Sequence, residues 1–122
     1  MTLILKKTFR NLRLNEGKMG KYKISKKAVA DLNNIWNYTA DVWSEEQADK
    51  YYNLLYTCIK GLSVFPDYLR KGYDVIKPGL FGYHAGHHII FYKKKRNGII
   101  WIDRILHEKM DFKRHLSLNC PK

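Results

Sequence analysis

The chain has 122 residues, 45% of them hydrophobic, and a mean hydropathy of −0.48, enough for one buried core but not two. No apolar run approaches the roughly 18 residues of a membrane-spanning helix, and Cys58 and Cys120 show neither metal-ligand spacing nor the density of a disulfide scaffold. The 23 Lys and Arg against 11 Asp and Glu, net +12, favour an acidic partner (nucleic acid, an acidic protein surface or an anionic membrane) without choosing among them, and they also serve solubility. These features describe a cytoplasmic, single-domain protein without metal or cofactor.

Residues 1–18 lack periodicity and hold Lys6, Lys7, Arg10, Arg13 and Lys18 against Glu16. Leu3, Ile4 and Leu5 are too few for a signal-peptide core. The segment reads as a disordered N-terminal extension, or as sequence upstream of a true start at Met19, which leaves 19–122 as the domain. Tyr22–Ile24 reads as a first strand. Ser25 is a candidate N-cap, its hydroxyl able to accept a free backbone N–H. The helix it opens runs to about Val42, with Ala28, Leu32, Ile35, Trp36 and Val42 near one face. Ser44 to Gln47 is a capping box for a second helix, with Ala48, Tyr52, Leu55, Ile59 and Leu62 as its apolar face and Pro66 as its stop. The short joint between the helices makes them an antiparallel hairpin.

Residues 67–79 read as a long connection with a short extended piece at 73–76. Three strands in meander follow, at 80–84, 87–92 and 99–106. Ala85 and Gly86 turn the first pair. Asn97 and Gly98 turn the second, where both turn positions are expected to take positive φ. The order β-α-α-β-β-β is α+β: an antiparallel sheet with a helical hairpin packed on one face.

The last strand runs straight into a dense polar segment with His107, Glu108, Lys109, Asp111, Arg114 and His115. The end of the sheet is therefore where function is sought. With His84, His87 and His88, this tail makes a histidine-rich set. A metal would need ligands converging with bonds of about 2 Å. Strand alternation sends His87 and His88 to opposite faces, and the residue four after His107 is Asp111, which breaks the helix-spaced zinc pair. No metal site is expected. A plainer role for His107, Glu108, Asp111 and Arg114 is a hydrogen-bonded latch tying the tail to the sheet. Tyr51 and Tyr56 fall off the main apolar stripe and are expected to be exposed, which suits a partner-binding groove better than nucleic-acid stacking. The run Lys93, Lys94, Lys95, Arg96 sits at a hairpin tip, either as edge protection or as an electrostatic dock.

Four stretches carry a resemblance: residues 25–39, the joint from Trp43 to Ala48, Lys77 to Leu80 with 88–92, and 104–111 with 114–116. In this order and spacing, residues 22–116 resemble the ParE/RelE toxin family of bacterial toxin–antitoxin systems, and its ParE branch in particular. The resemblance implies a toxin that inhibits DNA gyrase, or a related topoisomerase with the DNA it holds, by protein–protein contact. It also implies neutralisation by a small ParD-like antitoxin that lays a helical and extended segment over the toxin, with no membrane involved. Target contacts are expected at Arg104, His107, Glu108, Lys109, Asp111, Arg114 and His115. Antitoxin contacts are expected at Tyr38, Trp43, Tyr51, Tyr56, Lys93, Lys94, Lys95 and Arg96.

The alternative comes from the RelE branch, whose members cut mRNA on the ribosome. That chemistry needs a base for the 2′-OH proton, an acid for the leaving oxygen and cations for the phosphorane charge. His107, Arg104, His84, Lys93 and Tyr92 are the residues that could supply those parts. A third reading is a module that retains antitoxin pairing alone. The family often has Arg where this chain has His84, a small residue such as Ser where it has His87, and acidic residues where it has Lys93 to Arg96. These departures make the sheet more basic and richer in imidazole.

Overall fold

A computed structural model describes residues 22–65 and 67–117. The expectations for residues 1–18, for a start at Met19, for Cys120 and for Pro66 as a helix stop lie outside those residues. The elements in chain order are β1 (Tyr22–Ile24), α1 (Lys26–Val42), α2 (Glu45–Gly61), a 3-10 turn (Asp67–Leu69), β2 (Arg70–Gly72), β3 (Leu80–Ala85), β4 (His88–Lys94), β5 (Ile100–His107) and α3 (Phe112–Ser117). The five strands form one sheet in the order β1-β5-β4-β3-β2. The architecture is α+β with the α1–α2 hairpin packed on one face, as the sequence predicts. Among the described residues, no helix is long and apolar enough to cross a membrane.

Local chemistry accounts for the helices. Ser25 Oγ accepts the Ala28 N–H at 3.0 Å, and Ser44 Oγ accepts the Gln47 N–H at 3.0 Å. Glu45 and Glu46 lie in the first turn of α2, where the helix dipole favours negative charge. Ala28, Leu32 and Trp36 of α1 meet Ala48, Tyr52, Leu55 and Ile59 of α2, and both rows seat on Ile90, Tyr92, Ile100, Ile102 and Ile105 of the sheet. Val42, expected on the buried face, is exposed in the last turn of α1. Helix α2 ends at Gly61, where the chain folds back and the Phe65 ring closes over the glycine. A Cβ there would lie 2.3 Å from that ring.

The sheet differs from the predicted meander in four ways. β1 pairs with β5 in parallel, so the sheet is mixed and β5 is internal, not an edge. An extra strand, β2, pairs antiparallel with β3. Residues 73–76, expected to be extended, form a turn in which Ile76 N–H donates to Tyr73 O at 2.9 Å. In the β4–β5 connection only Gly98 has positive φ, at 88°. Gly98 N–H donates to Lys95 O at 2.9 Å, and Lys95 N–H to Ile99 O at 2.8 Å. This is a turn centred on Arg96 and Asn97 followed by a left-handed glycine, the usual three-residue hairpin with a bulge. Asn97 contributes through its side chain, accepting the Ile99 N–H at 3.1 Å.

The second face of the sheet carries a smaller core of Leu80, Ile89, Phe91, Leu106 and Leu116, covered by Tyr73, Ile76 and Phe112. The short helix α3 thus acts as a clasp. Asp111 Oδ1 accepts the Arg114 N–H at 3.2 Å as its cap.

Between these cores lies a β-bulge. Phe91 faces Arg104 and Tyr92 faces Ile102, so Asp103 is an extra residue on β5. Side-chain parity reverses there. Ile100 and Ile102 face the helices before the bulge, and Ile105 faces them after it. Three side chains fix the bulge. Ser25 Oγ donates to Asp103 O at 2.8 Å, and Lys77 Nζ donates to Asp103 Oδ2 at 3.0 Å. Asp31 on α1 accepts from Arg104 Nε at 2.8 Å, Arg104 Nη2 at 2.9 Å and Ile105 N at 2.9 Å. Because β1 ends opposite Ile102, the Ile105 N–H has no strand partner on that side, and the Asp31 carboxylate takes that place.

Asp31→Ala is expected to destabilise the fold by about 3 kcal/mol, since it strands a buried guanidinium and a buried N–H. Glu46→Ala removes a pair whose side chains are 82% and 69% exposed and should cost under about 0.5 kcal/mol. Urea unfolding of the two variants checks the ordering, and equal midpoints would contradict it.

Candidate functional groove

The bulge sets where the histidines go. His88 opens β4 on the same side as Ile90, and the reversed parity puts His107 on the side of Ile105, so the two histidines are a directly opposed pair. Their rings meet edge to face, centroids 5.2 Å apart. His87 lies in the turn before β4, so strand alternation does not apply to it. Its ring stacks on His107 at 6.4 Å, contrary to the expectation that His87 and His88 face apart.

Tyr51 of α2 locks this corner. Its hydroxyl accepts the His87 N–H at 2.9 Å and lies 2.6 Å from His88 Nδ1. We assign the Tyr51 proton to Nδ1, the arrangement in which the hydroxyl both accepts and donates, and this places the His88 proton on Nε2. Burial pushes the His88 imidazole down to about 4, with His107 and His87 adding to the effect against Asp31 and Glu108. Burial likewise raises the Tyr51 hydroxyl. Gly86, at φ 61°, makes the close approach possible, because a Cβ would lie 2.7 Å from the Tyr51 ring. Tyr51 follows Ala48 by three residues and so borders the apolar stripe. It is half-buried, not exposed as expected.

On the other side, α1 contributes Asn34, Ile35, Tyr38 and Thr39, and the helix joint contributes Trp43 and Gln47. With Tyr51 and the three histidines they enclose an open groove of about 630 Å³. Tyr38 is 67% exposed and Trp43 74% exposed at its mouth.

The remaining predicted residues scatter. Glu108 bridges His84 Nε2 at 2.8 Å and His87 Nδ1 at 3.3 Å, and the His87 bond, helped by His84, holds its carboxyl below the usual range against partial desolvation. The latch expected among His107, Glu108, Asp111 and Arg114 does not form as drawn: Glu108 bonds His84 and His87, His107 accepts the Lys109 N–H, and Asp111 caps α3 by accepting the Arg114 N–H. Arg104 is bound to Asp31, both side chains largely buried at 15% and 11% exposure. Lys109, Lys113 and Arg114 are exposed, and His115 is half-buried. Tyr56 is half-buried away from the groove, with Lys60 Nζ 4.5 Å from its ring centroid. Tyr92 is buried in the core. Lys93 lies five residues along β4 from His88, about 17 Å away, and Lys94, Lys95 and Arg96 are exposed beyond it. Sequence reasoning missed Asp31, Asn34, Thr39 and Gln47. Among the described residues, no three His, Cys, Asp or Glu side chains are placed to hold a metal ion.

A family model described as the ParE toxin of the type II toxin–antitoxin system parDE matches residues 22–112. The chain is 35% identical over 96 residues to Toxin ParE1 of Mycobacterium tuberculosis (strain H37Rv), covering 79% of this chain and 97% of that relative. It is 32% identical over 100 residues to Toxin ParE1 of Caulobacter vibrioides, covering 81% of this chain and all of that relative. A solved structure described as a chromosomal ParDE TA system from P. aeruginosa superposes with a TM-score of 0.61 at 23% identity, over 73% of this chain and 96% of that one, a likeness of fold.

The lowered His88 value makes a signed prediction. Between pH 6.5 and about 4 the unfolded chain binds a proton at His88 that the folded chain does not, so stability held above pH 6.5 is lost as pH falls. Glu108 loses its contribution only below its ordinary value of 4.5. Thermal unfolding at pH 7 and pH 5 should show a smaller drop for His88→Gln, which keeps an acceptor for Tyr51 but does not titrate. An unchanged drop would place the dependence elsewhere.

Proposed function

We infer the activity from family membership: this chain belongs to the ParE toxins of type II toxin–antitoxin systems. It acts as a toxin that inhibits DNA gyrase by protein–protein contact, and a ParD-like antitoxin holds it inactive by filling the groove. The observation that carries this reading is the family match over 22–112, with the relatives covered almost end to end.

The groove supports the antitoxin half. Tyr38, Trp43 and Tyr51 come together there as a ready anchor site, while large aromatics left in water favour a partner that buries them. Tyr56 and the Lys94 to Arg96 tip lie elsewhere and are not part of that site. For the target, the exposed cations Lys109, Lys113 and Arg114, which follow β5 closely in the chain, are the candidate contacts. Arg104 belongs to the fold and is no contact residue on this reading.

Geometry weighs against the ribonuclease alternative. Catalysis needs base, acid and cation around one phosphate. Here His84 is held by Glu108, Arg104 by Asp31, Tyr92 is buried, and Lys93 is about 17 Å along the strand from the His88–His107 pair.

Induction of the chain without its antitoxin tests the target. Gyrase-linked DNA breaks with translation intact are expected, and immediate mRNA cleavage with replication intact would overturn gyrase as the target. Trp43→Ala should weaken antitoxin binding roughly 30-fold while toxicity persists. Reversing Lys109 and Arg114 together should lower toxicity with an unchanged unfolding midpoint, and full toxicity of that double variant would remove these cations from the target surface.

A further inference from the structure

Two hydrogen-bond donors on the groove wall have no use within the fold. Tyr51 occupies His88 Nδ1, and the Lys109 backbone N–H occupies His107 Nδ1 at 3.1 Å, so in their neutral forms both rings carry the proton on Nε2. Among the described residues neither Nε2 has a hydrogen-bond partner. The rings face one another across a single rung of the β4–β5 ladder, 5.2 Å apart, and both line the groove.

We propose that the opposed His88–His107 pair is a receptor for one carboxylate, carried by an acidic side chain of the antitoxin segment that fills the groove. This rests on the antitoxin reading above and adds the chemistry by which the segment is read. An ionised carboxylate is an acceptor only, with two oxygens, and so suits two N–H donors that lack acceptors. The acids nearest the pair do not compete, because Asp31 is bound to Arg104 and Ile105 N–H, and Glu108 to His84 and His87. The chain's net charge of +12 favours an acidic visitor. The surrounding Ile35, Tyr38 and Trp43 supply the apolar frame in which a charge-assisted bond gains strength. Because Tyr51 fixes the His88 tautomer and the Lys109 N–H that of His107, the donors stand ready before the partner arrives.

The test uses the full chain and the antitoxin encoded beside it. Each Asp and Glu of that antitoxin is changed in turn to its amide, and affinity is measured against the wild-type chain, His107→Leu and His107→Gln. The expected result is one acidic position whose amide weakens binding about tenfold to the wild type but less than about twofold to His107→Leu, with His107→Gln, which keeps an N–H donor, in between. Unfolding midpoints of the two variants separate lost recognition from lost folding. Additive losses at every acidic position overturn the receptor and leave antitoxin pairing intact. Failure of the wild-type chain to bind the antitoxin overturns both, and so does a homodimer of the free chain that buries Trp43.

Discussion

The bulge at Asp103 decides where everything functional on this sheet points. Without the extra residue, parity would carry on from Ile100 and Ile102, Leu106 would face the helices and His107 the small second core. With it, Ile105 completes the helix-side core and His107 reaches the groove opposite His88. Ser25, Asp31 and Lys77 reach the bulge from an N-cap, a helix face and a loop. Buried ion pairs of this kind add little net stability over apolar substitutes, since desolvation offsets most of the Coulomb gain. Their value here is register: only one alignment of β5 satisfies all three.

Much of the fold was legible because its signals are local. Caps at Ser25 and Ser44, the spaced apolar residues of both helices and the Asn97–Gly98 hairpin each lie within a few residues of sequence. The rest depends on pairings distant in the chain. Nothing in Tyr22–Ile24 announces a parallel partner almost 80 residues away, and that pairing turns β5 from an edge into an interior strand. The three residues of β2 are too short to show alternation. Helix α3 looks like part of a charged tail until Phe112 and Leu116 are seen as a clasp on the second core.

The site divides in the same way. Tyr38 and Trp43, named as antitoxin contacts on the resemblance, are exposed at the mouth of the groove. Arg104 was named as a contact on the resemblance, yet the acid that binds it, Asp31, sits 73 residues earlier. A signal was available: Asp31 lies between Ala28 and Leu32 on the buried face of α1, and an acid on such a stripe implies a buried cation or N–H to meet it. Tyr51 offered a similar hint, three residues after Ala48. His87 was misassigned because alternation was extended one residue past the start of β4.

Two of the departures in this chain, His84 and His87, prove to be one device. Both bond Glu108, so the turn before β4 and the end of β5 are tied together beside the groove. Of the exposed cations that follow, Lys109 lies in the turn after His107, while Lys113 and Arg114 ride on α3, whose apolar side clasps the opposite face of the sheet. The Lys95–Gly98 tip stands at the far end of the same ladder. On the proposed reading, an antitoxin segment in the groove lies on the helix side of the sheet, and Lys109 adjoins it through its N–H bond to His107. The basic tip, remote from the groove, suits edge protection or, on the proposed reading, long-range steering of an acidic partner, a rate effect that salt screens.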